Sequence, residues 1–219
     1  MQRLFALLLC LCLGACANAP RIATDYKGAD AGTVVVGIGT TAGSRYQSYT
    51  LLFRRAAAAH APAGELGGFT YQIKSLFAGQ PADYETDDEK GVAVVASLPE
   101  GDYEAYGVSV FFNGGMTTGV FTSRQPFSIP FKVSKGHVAY LGNYQATNIW
   151  AKNIIGIPIP GGAYFAVESR KDADMGFAAR KASLSNGDGT VDFTPDPSKL
   201  GNPLLISTAE RDRRAKDDD

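Results

Sequence analysis

The segment Leu98-Pro99-Glu100-Gly101-Asp102-Tyr103 contains the turn that decides the fold. Proline at the second turn position presets φ, and glycine at the fourth position suits a type I turn. A short apolar run, Val92–Leu98, precedes the turn, and a segment of strand-like composition, Tyr103–Phe112, follows it. The turn and its two flanks therefore predict a β-hairpin.

Further segments of strand-like composition lie on both sides of this hairpin at near-regular spacing. Apolar and polar residues alternate over Phe127–Val133, where Pro130 lacks an N–H donor and so indicates an edge strand. The other strand-like segments are Thr33–Ile38, Tyr46–Arg55, Phe69–Phe77, Val138–Gln145 and Gly162–Ser169. Seven to eight strands predict a mainly β fold, an antiparallel sandwich of two sheets.

One segment near the C terminus has a helical pattern, over residues 170–182. Ser169 and Asp172 resemble a capping box, which predicts the helix start. Acidic residues lie in the first turn and basic residues in the last, as the helix dipole favours. The predicted buried stripe consists of Ala173, Phe177 and Leu184.

Composition limits the functions that the chain can have. The 219 residues include 25 Gly, 10 Tyr and 12 Phe, and the formal net charge is −1. No basic run with interleaved aromatic residues occurs, so we expect no nucleic-acid partner. All three cysteines lie at or before position 16. The folded part is therefore predicted to have neither a disulfide nor a cysteine metal site.

The N-terminal segment has the parts of an export signal. Arg3 supplies positive charge, Leu4–Leu13 is an unbroken apolar run, and small residues precede Cys16. The run is shorter than the roughly 18 residues that a membrane-spanning helix needs. Residues 1–15 are therefore predicted to be a signal peptide. An ordinary secretory signal that is cleaved near Ala19 is the alternative.

The sequence Leu13-Gly14-Ala15-Cys16 resembles the lipobox of bacterial lipoproteins. The resemblance implies that the Cys16 thiol carries a diacylglyceryl group and that the new amino terminus is acylated. Each buried methylene contributes about 0.8 kcal/mol, so two or three acyl chains hold a protein on a membrane almost permanently. Ala17 is not acidic, which in this family favours the outer membrane. We expect a periplasm-facing protein anchored in the inner leaflet.

The chain after Cys16 divides into three predicted parts. Residues 16–32 are small and polar without periodicity, and we expect a flexible tether there. Residues 33–207 form the sandwich domain. Residues 208–219 are rich in charges of both signs, and we expect them to be disordered.

A second resemblance covers about a quarter of the chain, from Val92 to Asn143. Leu98–Tyr103 resembles the "LPPGDY" turn of prealbumin-like and carboxypeptidase-regulatory-type β-sandwiches. Phe131–Gly142 resembles a strand pair of uncharacterised bacterial lipoproteins of that sort. Both motifs consist of turn and strand residues, so the resemblance implies an accessory or binding module and not an enzyme.

Catalytic and cofactor motifs give weak signals. The two histidines, His60 and His137, have no partner at metal-ligand or general-base spacing, so we expect no metal site. Asn186–Val191 partly resembles a calcium loop, but Leu184 and Pro195 occupy its two end ligand positions. No serine-nucleophile motif or dinucleotide fingerprint is complete. We therefore expect no cofactor.

The candidate partner surface is an isoleucine-rich segment that glycine and proline interrupt. Its residues are Trp150, Ile154, Ile155, Ile157 and Ile159. If it is exposed, it forms an apolar patch for an envelope protein partner or for the membrane surface. The alternative, which we favour, is that the segment packs over one end of the sandwich.

These expectations combine into one functional hypothesis. The chain is predicted to be a non-catalytic binding or assembly module, held on the membrane by covalent lipid. An envelope hydrolase with a site formed only in three dimensions is one alternative. A small-ligand binder that uses tyrosines and Trp150 is the other.

Overall fold

Two packed β-sheets form the body of the protein. The computed structural model describes residues 21–217, except residues 45, 57–64, 74–78, 114–117, 183 and 185–188. Its strands are β1 Ala31–Thr41, β2 Ser48–Arg55, β3 Leu66–Gln72, β4 Tyr84–Glu85, β5 Glu89–Pro99, β6 Gly101–Asn113, β7 Thr118–Thr122, β8 Ile129–Val133, β9 Val138–Lys152, β10 Pro158–Glu168, β11 Thr190–Asp192 and β12 Leu205–Ile206. Its helices are α1 Lys171–Lys181, α2 Pro197–Leu200 and α3 Thr208–Asp217.

The larger sheet has the strand order β12-β10-β9-β1-β5-β4, with β11 also paired to β9. Strand β1 pairs antiparallel with β5 and parallel with β9. The smaller sheet has the order β3-β2-β6, and both β7 and β8 pair with the far side of β6. The predicted mainly β sandwich is confirmed, although the described residues contain more strands than expected.

The predicted hairpin around Pro99 and Gly101 is wrong, because its two strands lie in different sheets. Strand β5 belongs to the larger sheet and β6 to the smaller one, so the turn connects the two layers. The Tyr103 hydroxyl donates to the Pro99 carbonyl oxygen over 2.8 Å, and the Tyr103 ring stacks on Phe131. Burying this ring between the sheets stabilises the corner.

Apolar rings from both sheets fill the space between them. Phe53 stacks on Phe69 at a ring distance of 4.3 Å, and both side chains are buried. Strand β8 lies at the edge of its sheet, as Pro130 predicts. A second, smaller cluster lies on the outer face of the larger sheet, where Val35 and Tyr140 contact Met175 and Ala178 of α1.

Helix α1 occupies the predicted place, and Phe177 and Leu184 of the predicted stripe are half-buried against the smaller cluster. Its N-cap residue is Arg170, without a side-chain cap, and Ser169 instead donates to Asp192. The buried residues are Asp174, Met175 and Ala178, whereas Ala173 of the predicted stripe is exposed.

Two segments that the sequence predicts to be unstructured are ordered on the sandwich. Ile22 is buried, and its N–H donates to Leu66 over 2.8 Å, so part of the predicted tether packs against β3. The charged tail forms α3, in which Glu210 accepts from Arg214 four residues later. Charges of both signs at this spacing support a helix. Arg211 also pairs with Glu89 at 2.7 Å, which attaches α3 to the larger sheet.

Candidate functional site

The ends of β9 and β10 form a hairpin that we call the apolar arm, residues 149–160. The two strands stay paired as far as Lys152 and Pro158. The turn between them is built by Asn153, whose side-chain oxygen accepts from the N–H groups of Ile155 and Ile157 at 3.1 and 2.9 Å. Gly156 has a φ of 80°, a conformation that glycine adopts without strain.

The large apolar side chains of the arm are exposed. Ile154 is fully exposed and Ile155 is 73% exposed. The exposed set also includes Ile149, Trp150, Ile157 and Ile159. The preferred alternative from the sequence, that this segment packs over one end of the sandwich, is therefore wrong. The arm exposes a contiguous set of large apolar side chains, the kind of patch that marks an interaction site.

The base of the arm is fixed to the sandwich by Tyr46. Its hydroxyl donates to the Gly162 carbonyl oxygen at 3.0 Å and accepts from the Gly162 N–H at 3.0 Å. The Tyr46 ring lies 6.2 Å from the ring of Trp150 and packs edge-on against Phe121. A β-bulge interrupts the pairing between Pro160 and Gly162, where φ is 106° at Gly162. These contacts hold the arm at its base and leave its tip exposed.

A group of polar residues is buried between α1 and the larger sheet. The Asp174 carboxylate accepts from the Tyr140 hydroxyl at 2.7 Å and from the Asn143 amide at 3.2 Å. Burial raises the pKa of Asp174, although both hydrogen bonds act in the opposite direction. The Tyr140 hydroxyl in turn accepts from the Arg170 backbone N–H at 3.0 Å. We call Tyr140, Asn143 and Asp174 the buried polar cluster.

Glycines make the space for this cluster. Strand pairing sets Gly37 beside Asn143 and Gly39 beside Gln145. A Cβ atom on Gly37 would lie 2.1 Å from the Asn143 amide nitrogen and 2.5 Å from an Asp174 carboxylate oxygen. Sequence reasoning missed this arrangement. The available signal was the glycine at alternate positions of a β-branched strand, opposite the amide side chains of a neighbouring strand.

The buried polar cluster has the geometry of a structural network. The Asp174 carboxylate lies on the side of α1 that faces the sheet and is fully buried. Its oxygens accept hydrogen bonds from neighbouring side chains. Tyr84 extends the network by donating to Gln145 over 3.1 Å, and burial raises the pKa of Tyr84 to about 12. Such a network holds α1 on the sheet in a fixed register.

A shallow groove of about 490 Å³ lies on the outer face of the smaller sheet. Leu52, Gly68 and Tyr106 form part of its lining, and the chain segment around Arg21 and Thr24 forms one wall. Trp150, which the sequence associates with a possible ligand site, is in the arm and does not line this groove.

The remaining candidate residues are distributed as follows. His137 is exposed beside the turn before β9. Cys16, His60 and residues 186–188 of the calcium-like segment lie outside the described residues. Among the residues that the structure describes, no group of three metal-ligating side chains converges, and no helix is long and apolar enough to cross a bilayer.

Comparisons with known proteins give no relative from which a function could be inferred. No protein-family model, no curated protein and no solved structure matches this chain.

Proposed function

We propose that this protein is a lipid-anchored, non-catalytic binding module of the bacterial envelope, with the apolar arm as its binding surface. One observation carries the proposal: Ile154 and Ile155 are exposed at the tip of a hairpin whose base is held by Tyr46. A soluble protein gains nothing in stability from such side chains, because they contact water in the folded state. Their burial against a partner would supply binding free energy.

The lipobox-like sequence supports the anchor. Cys16 is the residue that acylation would modify, and Ala17 favours the outer membrane with the domain facing the periplasm. Because Ile22 is already packed on the sandwich, few residues separate the folded domain from Cys16. Five residue steps, from Cys16 to Arg21, span at most about 17 Å. The domain would therefore stay close to the membrane surface.

The arm and the first described residues of the chain lie toward opposite ends of the sandwich. Asp25 pairs with Ser97, which pairs with Thr33, and Thr33 pairs with Val138 at the start of β9. The arm begins near the other end of β9, and Val138 and Lys152 are separated by about 45 Å of strand. Attachment at both ends would fix the orientation of the domain in a way that one tether cannot.

The anchor is tested by the intact mass of the mature protein and by membrane fractionation. We expect the mass of a chain that begins at Cys16 and carries diacylglyceryl and N-acyl groups. Cys16→Ser should release the protein from the membrane fraction. A mature protein that is unmodified and freely soluble would refute the proposal.

The binding role is tested by affinity capture from detergent-solubilised envelopes. The wild type is compared with Ile155→Asp in the arm and with Val191→Asp, an exposed apolar position on β11 at the far end of β9. We expect an envelope component that the wild type and Val191→Asp both retain and that Ile155→Asp loses. Equal recovery with all three proteins would exclude the arm as the binding surface.

A small-ligand binder is the second candidate, and the groove on the smaller sheet favours it. The volume of about 490 Å³ lies within the range of small-molecule sites. The lining of the groove includes Gly68 and the half-buried ring of Tyr106, over which the Arg54 guanidinium lies 5.0 Å from the ring centroid. A ligand screen that compares the wild type with Tyr106→Ala tests this function, which requires a ligand that the variant no longer binds.

A further inference from the structure

Both faces of the apolar arm carry apolar side chains, and Lys152 lies on one of them. Paired residues of a two-stranded ribbon point to the same side, so Ala151 and Ile159 share one face. Trp150 and Pro160 are also paired and share the other face. A flat protein partner covers one face of such a ribbon, whereas the headgroup layer of a bilayer surrounds both. The two-sided distribution therefore favours lipid.

Several backbone N–H groups at the tip of the arm are hydrogen-bonded within the turn, and two positions have no N–H group. The N–H groups of Ile155 and Ile157 bond to the Asn153 side chain. Those of Asn153 and Gly156 bond to carbonyl oxygens within the turn. Pro158 and Pro160 have no N–H group at all. Since an unpaired N–H is costly outside water, these features lower the cost of insertion.

The same prolines disfavour a partner that adds a β-strand to the arm. Strand addition requires a row of free N–H donors along an edge. Pro158 and Pro160 interrupt that row on β10. A protein partner that adds a strand along the β10 edge is therefore a poor fit to the arm.

The charge of the region suits an anionic surface. No Asp or Glu occurs between Glu104 and Glu168, a stretch that includes all of the arm. Lys152 lies within the arm, two residues after Trp150. A lysine beside exposed apolar side chains is attracted to anionic lipid, and tryptophan is enriched at the membrane interface.

The dimensions also fit. Trp150 packs near Tyr46, and the chain from Ala151 to Ile154 extends beyond that contact. Four residues of strand and turn reach about 10 Å. An interfacial element enters the boundary between headgroups and acyl chains by about 5–10 Å.

We propose that the arm inserts Ile154 and Ile155 into the interfacial layer of the anionic bilayer that holds Cys16. This inference rests on the proposed function for the identity of that bilayer. The long axis of the sandwich is then inclined to the membrane, because the acylated end stays within about 17 Å of the surface while the tip of the arm lies below it. The acylated end and the arm are two separate contacts. The partner of the arm is lipid, and the domain does not stand away from the surface.

Fluorescence of the chain tests the inference directly, because Trp150 is its only tryptophan. The full chain with Cys16→Ser is mixed with vesicles of phosphatidylcholine, with or without phosphatidylglycerol. We expect the Trp150 emission to move to shorter wavelength with the anionic vesicles and to return when salt is raised. Adding Ile154→Asp and Ile155→Asp should weaken the vesicle affinity about tenfold for each substitution.

The matched control carries Cys16→Ser and Val191→Asp, and it should bind vesicles like the parent. All proteins share the same N terminus, so any binding through residues 1–15 is common to them. Thermal unfolding of each variant confirms that the fold is retained. An emission maximum that anionic vesicles leave unchanged would overturn the inference, as would equal vesicle affinity of the arm variant and the control.

This experiment is separate from the test of the anchor. If the arm binds vesicles but the mature protein lacks acyl groups, the lipid contact stands and the anchor fails. If Cys16 is acylated but the Trp150 emission does not change with vesicles, the anchor stands and the inference is wrong. Capture of a protein through the arm, without a vesicle response, would also refute the inference.

Discussion

The two halves of strand β9 differ in whether they bury polar side chains or expose apolar ones. Its first half buries the polar side chains of Tyr140 and Asn143 beneath α1, whereas its second half exposes the apolar side chains of Ile149 and Trp150. In the first half the Tyr140 hydroxyl and the Asn143 amide nitrogen both donate to Asp174. In the second half the apolar groups extend beyond the body of the sandwich. The first half therefore stabilises the fold, and the second half is the part of β9 to which we assign the proposed binding role.

Removing the centre of the buried polar cluster should have the largest effect. Asp174→Ala leaves the Tyr140 hydroxyl and the Asn143 amide without their acceptor in a buried place. We expect a loss of about 2–4 kcal/mol in the free energy of unfolding, measured in urea. Asp172→Ala, on an exposed position of the same helix, should change it by less than about 0.5 kcal/mol. Equal losses would show that the cluster does not stabilise the fold.

Filling the space under the cluster should have the next largest effect. Gly37→Ala places a Cβ atom 2.1 Å from the Asn143 amide nitrogen, so the amide and Asp174 must move. We expect a loss of about 1–3 kcal/mol, measured by chemical denaturation. Gly176→Ala is the control, since a Cβ atom there meets nothing within 4 Å. Alanine should stabilise α1 at that position by up to about 1 kcal/mol. A tolerated Gly37→Ala would contradict the register that links β1 to β9.

The buried carboxyl should also give the fold a pH dependence. Burial raises the pKa of Asp174 above its unfolded value, so the native state retains a proton that the unfolded chain has already lost. The contribution to stability is present at acid pH and is lost as the pH rises from about 4 through the raised pKa. Unfolding curves over this range should show the loss for the wild type and not for Asp174→Asn. A difference between the two proteins that is constant with pH would refute this.

Substitution in the arm should have the smallest effect on the fold. Ile155→Asp changes a side chain that is 73% exposed, so the free energy of unfolding should change by less than about 0.5 kcal/mol. The same substitution is expected to impair binding. A large loss of stability would show that the arm belongs to the core in solution, and the contrast within β9 would disappear.

Sequence patterns predict most of the strands, because alternation and proline report directly on local burial. Pro130 marks an edge strand correctly. The turn at Pro99 does not distinguish a hairpin from a corner between sheets, since the same turn residues serve both. Short strands such as β4 and β12 have two residues each, which is too few for a periodic signal.

The site was harder to predict for physical reasons. An isoleucine-rich segment has the same composition in a core and on a surface, so only the folded structure shows that Ile154 and Ile155 are exposed. The burial of Asp174 depends on room that Gly37 leaves on a strand far away in sequence. The composition of the charged tail predicts disorder. In the structure Glu89 of β5 provides a partner for Arg211 and helps to hold α3 on the sandwich.

Quenching of Trp150 by brominated lipids is the most direct test of the claim that the arm is a membrane contact. The acylated wild-type protein is placed in phosphatidylglycerol-containing vesicles with bromine at a shallow or a deep acyl position. We expect strong quenching by the shallow bromines, weaker quenching by the deep ones, and loss of both in the variant with Ile154→Asp and Ile155→Asp. Absence of quenching from either depth, with the protein bound through Cys16, would contradict the account.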